Sequence, residues 1–419
     1  MIGKVPITFF AIEIAVPENR GNMGVVLMIL RLSPCLVMVV AAISYGCLQA
    51  QIQPSIVNAD GVRFHDAKLA QIQSLVNSAI ASGEFPGCVI CFGRQNQIAF
   101  RQAYGHRQVQ PVRVPMTVDT VFDLASITKP VATATSVMVL IDRGKLRLSD
   151  RIADHFPKFA VNGKDLIIVK HLLIHQSGLI PDNSLSDYVG GPELAWQRIC
   201  KLGLVCEVGT EFRYSDVNFI VLAKLVEQIS GRDIHQFSEQ AIFQPLGMSD
   251  SGFLPAEPLR RRAAVTEQRD GVWLQGKVHD PRAHRLGGIA GHAGLFSTAD
   301  DLAIYASMMI GRGALATEDQ PVVVLSELSW KKMTDAYAVS SGKRGLGWDK
   351  QTAFSSNKGS RLTASAFGHG GFTGTVLWID PEQDLFFIFL CSRLHPDGKG
   401  RVNRLAGQLL DIVVDAMDR

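Results

Sequence analysis

Apolar residues along this chain follow two periods, and the order in which those periods alternate sets out the fold. Over residues 67–81 they fall at Leu69, Ile72, Leu75, Val76 and Ile80, the three-to-four spacing of a helix with one buried face. Residues 87–92 and 98–100 then read as two strands of a hairpin turning at Arg94-Gln-Asn-Gln97. Helical spacing returns after Ser126 through Val131, Met138 and Ile141, and again over 169–175, where Ser177-Gly178 stops it. It continues over 219–229 and 234–243, ending at Pro245-Leu-Gly247. A further helix over 302–310 follows the capping pattern Ser297-Thr-Ala-Asp300. Strands return at 374–380 and 385–392 around the turn Pro381-Glu-Gln-Asp384, and a last helix over 403–417 buries Leu405, Leu409, Ile412, Val413 and Met417. The expected fold is α/β (α+β): a mainly antiparallel sheet built from both chain ends, with a helical region at about 126–285 inserted between them.

Composition adds bounds to this picture. A chain of 419 residues with 47% hydrophobic side chains can bury a large core as one domain or two lobes. A net charge of +3, with both signs spread throughout, leaves no footprint for nucleic acid, and Arg260-Arg261-Arg262 is too short to make one. Residues 1–50 read as a leader and 51–419 as the functional domain. Arg31 supplies a positive charge, residues 35–43 an apolar core and Leu48-Gln-Ala50 a small-residue cleavage site, which together predict export to the periplasm or beyond. Glu13 and Glu18 lie upstream and suit no signal peptide, so the start is expected at Met23 or Met28. The apolar run is short for a membrane span. Attachment to the cell envelope through an uncleaved leader, or through a lipid on Cys47 despite the poorly matching Ser44-Tyr-Gly before it, are the alternatives. Five cysteines follow the leader. Cys88 and Cys91 sit three apart in a strand and so face opposite sides, as core residues, while Cys200 and Cys206 could bridge in an oxidising compartment.

Candidate chemistry centres on Ser126-Ile-Thr-Lys129. A serine entering a helix meets unpaired backbone N–H groups, and a lysine three residues on lies on the same face, beside the hydroxyl. The spacing alone decides little, because Ser329/Lys332, Ser340/Lys343 and Ser355/Lys358 repeat it. Two later signals separate Ser126 from these. Tyr214-Ser-Asp216 precedes a helix, and a phenol beside an ammonium is favoured as phenolate, which could take the serine proton. His369-Gly-Gly371 enters the C-terminal sheet, where two glycines let a ligand or backbone approach closely. His171 and His175 have the spacing of zinc ligands but lack the glutamate of a metalloprotease helix, and the glycine-rich stretch 287–296 lacks the surroundings of a phosphate loop.

With these three elements in order, the chain resembles the serine β-lactamase/penicillin-binding-protein superfamily over about residues 67–417, in particular its class C β-lactamase-like, D-alanyl-D-alanine carboxypeptidase-like branch. Residues 171–179, 290–302 and 368–375 carry the resemblance further. It implies an α/β sandwich beside an all-helical region, with the site between them. It also implies Ser126 as acylated nucleophile, Lys129 as adjacent cation, Tyr214 as general base, and the backbone N–H groups of Ser126 and Phe372 as oxyanion hole. Asp216, His369, Gly370 and Gly371 would bind substrate, with no metal or organic cofactor. Asp216 stands where the family usually has asparagine and cannot donate an amide hydrogen bond. His369 stands where lactamases have lysine, so it would hold a substrate carboxylate only when protonated, at mildly acidic pH. The expected activity is an exported serine hydrolase of DD-peptidase type acting through an acyl-enzyme on a small molecule or peptide: a D-alanyl peptide, an acyl ester or a β-lactam. A carboxylesterase, a weak β-lactamase, and a sensor that acylates without turnover are the alternatives.

Overall fold

The computed structural model describes residues 64–417 and the short strand Ser55–Ile56; the leader expected from the sequence lies outside the described residues. The frame is a ten-stranded sheet. Its path uses β1 (Ser55–Ile56), β2 (Gly87–Arg94), β3 (Gln97–Gln108), β4 (Tyr337–Val339), β5 (Gly342–Arg344), β6 (Asp349–Gln351), β7 (Phe367–Gly370), β8 (Val376–Asp380) and β9 (Leu385–Cys391) in the order β1-β3-β2-β9-β8-β7-β6-β5-β4. A short strand, Val114–Pro115, pairs with β3 off this path. Strands from the two chain ends meet at the antiparallel pair β2·β9, where Ile90 faces Phe389.

The β2–β3 hairpin turns where expected, at Gln95 and Asn96, both in the left-handed region that such two-residue turns require. Alternation along the strands then builds two cores from one sheet. Cys88, Ile90, Phe92, Phe387 and Phe389 face one side, under the helices Asp66–Ala81 and Asn403–Asp415. Val89, Cys91, Phe386, Ile388 and Leu390 face the other, where the helices Thr135–Asp142, Asp216–Ser230 and Ala299–Ile310 lie. Cys88 and Cys91 thus go to opposite cores, and every described cysteine, Cys200 and Cys206 included, is a free thiol.

Helix ends follow their side chains. Ser215 caps Asp216–Ser230 by accepting the Asn218 N–H at 3.3 Å, and Gly231 closes it at φ 71°. Thr298, one residue beyond the expected cap, accepts from the Asp301 N–H at 3.3 Å to start Ala299–Ile310. Between β3 and β4 the chain forms most of the helices together with short strands that pair in small separate sheets, and the main sheet resumes at Tyr337. Among the described residues no helix is long and apolar enough to cross a membrane.

Candidate active site

Ser126 sits on a tight turn against the edge of the helical side. Ala125 before it adopts φ 45°, costly for a residue with a Cβ, and the Asp123 carboxylate holds it there by accepting its N–H at 2.9 Å. The chain then runs as a 3-10 turn over Ala125–Ile127, a π-helical segment over Lys129–Ala134, and the α-helix Thr135–Asp142. The Thr135 hydroxyl donates to the Pro130 carbonyl at 2.9 Å, within that widened segment. The wound segment places the Lys129 ammonium 3.0 Å from Ser126 Oγ, to which it donates.

Lys129 is fully buried and meets a dedicated counter-charge. Its ammonium lies 2.7 Å from Asp216 Oδ1, donates to the His292 carbonyl at 3.1 Å and stands 4.9 Å from the centre of the Tyr214 ring. Burial alone would drive its proton off; Asp216 and Tyr214 outweigh burial and hold Lys129 above its ordinary value. The glycine-rich stretch therefore has a structural task. Gly291 packs so closely on the helix Asp216–Ser230 that a Cβ would meet the Phe219 carbonyl at 2.0 Å, and this approach delivers the next residue's carbonyl to Lys129. His292 in turn bonds Asp280 at 2.9 Å through Nε2. Asp280 stays well below the ordinary carboxylate range because His292, the Ala283 N–H and Lys129 outweigh its burial. Asp216, Asp280 and His292 converge within 4.8 Å as metal ligands would, but the Lys129 ammonium already supplies the positive charge among them.

Tyr214 is positioned by a residue that the sequence pattern left unassigned. His175, buried and at φ 58°, stacks on the Tyr214 ring with centroids 4.4 Å apart and accepts the Ser215 N–H on Nδ1 at 3.1 Å. Burial, with Arg344 and Lys129 nearby, keeps this imidazole well below its ordinary value and hence neutral. Phe354 stacks on Tyr214 at 4.8 Å.

The third element closes the pocket. At Gly371 a Cβ would strike Thr375 Oγ1 at 2.1 Å and the Leu124 carbonyl at 2.4 Å, so only glycine lets this turn reach the segment before Ser126. The Thr373 and Thr375 hydroxyls donate to the Asp123 and Leu124 carbonyls at 2.7 and 3.1 Å. Phe372, between the His279 ring at 5.5 Å and the Arg393 guanidinium at 4.4 Å, leaves its N–H without a protein acceptor among the described residues. A cavity of about 600 Å³ joins Ser126, Tyr214, Arg344, His369, Gly370, Gly371 and Phe372.

Two expectations change. Asp216 is not in the cavity wall; its carboxylate faces Lys129. His369 lines the cavity, but burial, reinforced by Arg344 and Lys129, pushes it well below the ordinary imidazole range, so it is neutral rather than charged at mildly acidic pH. Its Nδ1 bonds the Gly370 carbonyl at 2.8 Å, which makes Nδ1 the protonated nitrogen and Nε2 an acceptor. The other Ser-x-x-Lys serines have plain structural tasks. Ser329 donates to Asp142, Ser340 accepts from the Phe212 N–H, and Ser355 donates to Asp349.

This fold and arrangement agree with the comparisons. The Beta-lactamase family model matches residues 72–411, and the chain belongs to that family, within the serine β-lactamase/penicillin-binding-protein superfamily. It is 31% identical over 381 residues to the "N-acetylmuramyl-L-alanine amidase" of Bacillus subtilis (strain 168), covering 82% of this chain and 85% of that one. It is 29% identical over 373 residues to the "Putative D-alanyl-D-alanine carboxypeptidase" of Escherichia coli (strain K12), covering 79% and 84%. The crystal structure of a family VIII carboxylesterase shares the fold with a TM-score of 0.65 at 18% identity, over 84% of this chain and 98% of that one.

Proposed function

We propose that the protein is an exported serine hydrolase that works through an acyl-enzyme on peptides ending in D-alanyl-D-alanine. The observation that carries this reading is the Ser126 hydroxyl 3.0 Å from Lys129, in a cavity that Tyr214 also lines. Because Asp216 holds Lys129 protonated, the lysine cannot accept a proton and serves as a fixed donor to Oγ. The base must then be Tyr214. Its phenolate takes the Ser126 proton as Oγ attacks the acyl carbon, and the developing oxyanion is received by the backbone N–H groups of Ser126 and Phe372. As the C–N bond breaks, Tyr214 passes that proton to the departing amine. Water then enters; Tyr214 takes its proton, and the acyl–Oγ bond breaks with Oγ reprotonated.

The Bacillus relative supports a second reading of the same chemistry, an amidase cutting an N-acetylmuramyl-L-alanine amide. The carboxylesterase neighbour keeps an ester substrate in view through its fold alone. Purified protein should be offered a fluorescent penicillin, a D-Ala-D-Ala peptide, a muramyl-L-alanine peptide and p-nitrophenyl acetate. Release of D-alanine supports the leading reading; turnover of the muramyl amide or of the ester alone assigns the site to those substrates, and a penicillin burst without turnover makes it a sensor. Ser126→Ala should abolish acylation with the fold intact, whereas a trapped adduct on another serine would overturn the assignment.

A further inference from the structure

The cavity that holds Ser126 and Tyr214 is also lined by an amide outside the three sequence elements. Asn357, on the segment between β6 and β7, has only 3% exposure, yet it belongs to the cavity wall. Its orientation is fixed by a neighbour. The Trp378 indole N–H, which can only donate, donates to Asn357 Oδ1 at 3.0 Å, so the other end of the amide is the NH2 group. That Nδ2 lies 2.4 Å from where a Cβ on Gly370 would stand, in the space that a side chain of the third element would take. Among the described residues it has no protein acceptor. The segment is clamped to the last helix, Asn403–Asp415. Asn403 Nδ2 donates to Ser356 Oγ at 2.8 Å, and Asp411 accepts the N–H groups of Ser360 and Arg361 at 2.6 and 3.0 Å. A nearly buried amide, held rigidly with its donor open to a cavity, is placed to meet a ligand oxygen.

We propose that Asn357 is a substrate-binding residue whose Nδ2 donates to a carboxylate on the departing part of the substrate, with Arg401 and Arg404 supplying positive charge around it. The inference rests on the serine hydrolase reading and deepens the peptidase one, because a peptide ending in D-alanyl-D-alanine has its free carboxylate on the residue that departs. The polar groups of the cavity wall point to this end by elimination. His369 is neutral and presents Nε2 as an acceptor, which repels a carboxylate oxygen. Lys129 is matched by Asp216, and Arg344 by Asp349 at 3.4 Å. Arg393 holds backbone, donating from Nε to the Phe372 carbonyl at 2.6 Å and from Nη1 to the Gly400 carbonyl at 3.0 Å. Arg401 and Arg404 are different. They are exposed, line the same cavity and have no ion-pair or hydrogen-bond partner among the described residues. The Asn403–Ser356 bond sets their segment beside Asn357. Asp349 is the single acid in this wall, and Arg344, Thr352 and Ser355 already engage it. An entering carboxylate thus meets open donors and no opposing free charge.

Two esters that differ by one carboxylate on the leaving group, p-nitrophenyl acetate and 3-carboxy-4-nitrophenyl acetate, test this without any peptide. The full-length protein should be compared on this pair, and on an acyl-D-Ala-D-Ala peptide and its C-terminal amide. Wild type, Asn357→Asp and the double variant Arg401→Gln/Arg404→Gln are the proteins. The readout is a preference: kcat/KM for the carboxylated member of each pair over that for its neutral counterpart. Intrinsic differences in leaving-group reactivity then cancel between proteins. Asn357→Asp keeps the acceptor for Trp378 and the side-chain volume but replaces the donor with a negative oxygen. It should lower both preferences about tenfold or more, through KM, as expected when a hydrogen bond to a charged group is lost. The arginine double variant should lower them by a smaller factor, and added salt should weaken the wild-type preference. A folded Asn357→Asp protein with unmoved preferences overturns the proposal, and so does a wild type that has none. If Asn357→Asp does not fold, the double variant of two exposed residues gives the answer, an unmoved preference there having the same force. A carboxylate preference on the esters that Asn357→Asp loses, with no D-alanyl peptide cleaved, keeps this inference and ends the peptidase reading. Equal cleavage of the peptide and its amide does the reverse.

Discussion

At the residue scale, the Lys129–Asp216 pair decides what the lysine can do. An asparagine at position 216 would still offer the buried ammonium an amide oxygen beside Ser126 and the His292 carbonyl, but no negative charge. With Asp216 2.7 Å away the charge is kept, so Asp216→Asn should be costly even though it restores the family's usual residue. Removing one partner of a buried ion pair costs about 3–5 kcal/mol, and the partly exposed Asp216 side chain places the expected loss near about 3 kcal/mol. Denaturant titration checks this, with Ser126→Ala as a control expected to stay within about 0.5 kcal/mol of wild type. An Asp216→Asn protein as stable as wild type would mean that Lys129 is not held by this carboxylate. Ser126, Lys129 and Tyr214 were legible because their residue types and order carry chemistry in themselves. His175 was not, since its role arises from burial and stacking. A histidine stacked under a tyrosine looks in sequence like any other histidine.

At the element scale, long periodic segments were legible and short ones were not. The helix expected over 67–81 appears as Asp66–Ala81, and the strand expected over 385–392 as Leu385–Cys391, because each repeats its pattern over several turns or pleats. Strands β4, β5 and β6 have three residues each, too few to show alternation. The helix Ala299–Ile310 hides a further feature in its first turn. Asp301 is buried there and accepts the Asp250 N–H at 2.9 Å and the Ser251 hydroxyl at 2.8 Å. Burial, with Asp250 and Asp300 adding to it against the Ser251 bond, pushes its carboxyl up to about 7. The helix dipole opposes this by only about 0.3–1 kcal/mol, so burial wins. Since the folded protein binds this proton more tightly than an unfolded chain near pH 4, the contribution is complete below about pH 4 and is lost as pH rises toward about 7. The unfolding free energy from urea titration should therefore fall across that window by an amount on the order of a few kcal/mol, and Asp301→Asn, which keeps both acceptor contacts, should flatten the slope. An unchanged slope in that variant would assign the pH dependence elsewhere.

At the scale of the whole molecule, the N- and C-terminal parts of the described chain depend on one another, and this was legible once strands appeared at both. The His65 N–H donates to the Ala416 carbonyl at 2.8 Å, Phe64 bridges Met417, and the helices Asp66–Ala81 and Asn403–Asp415 share a core with the outer face of β2 and β9. The leader depends on different evidence: native material should begin near Gln51, and N-terminal sequencing that recovers Met1 or Met23 would rule out a cleaved export signal. Cooperativity follows from the shared sheet. Leu409 has 0% exposure and packs in the core containing Ile72, Val76 and Phe389, while Ser126 stands across the sheet among the helices. Leu409→Ala should cost about 2–5 kcal/mol, the range for opening a cavity at a well-packed leucine. The informative quantity is how that loss is distributed. The same strands β2 and β9 form both cores, with Phe389 and Ile90 facing the terminal helices and Ile388 and Val89 facing the helical side. Loosening one face leaves the other without a wall. Unfolding of Leu409→Ala should therefore be a single transition, with loss of far-ultraviolet circular dichroism and loss of covalent labelling at Ser126 falling at the same denaturant concentration. Labelling that survives past the loss of the terminal helices would show that the helical side and its half of the sheet stand alone, and that the two cores are separate folding units.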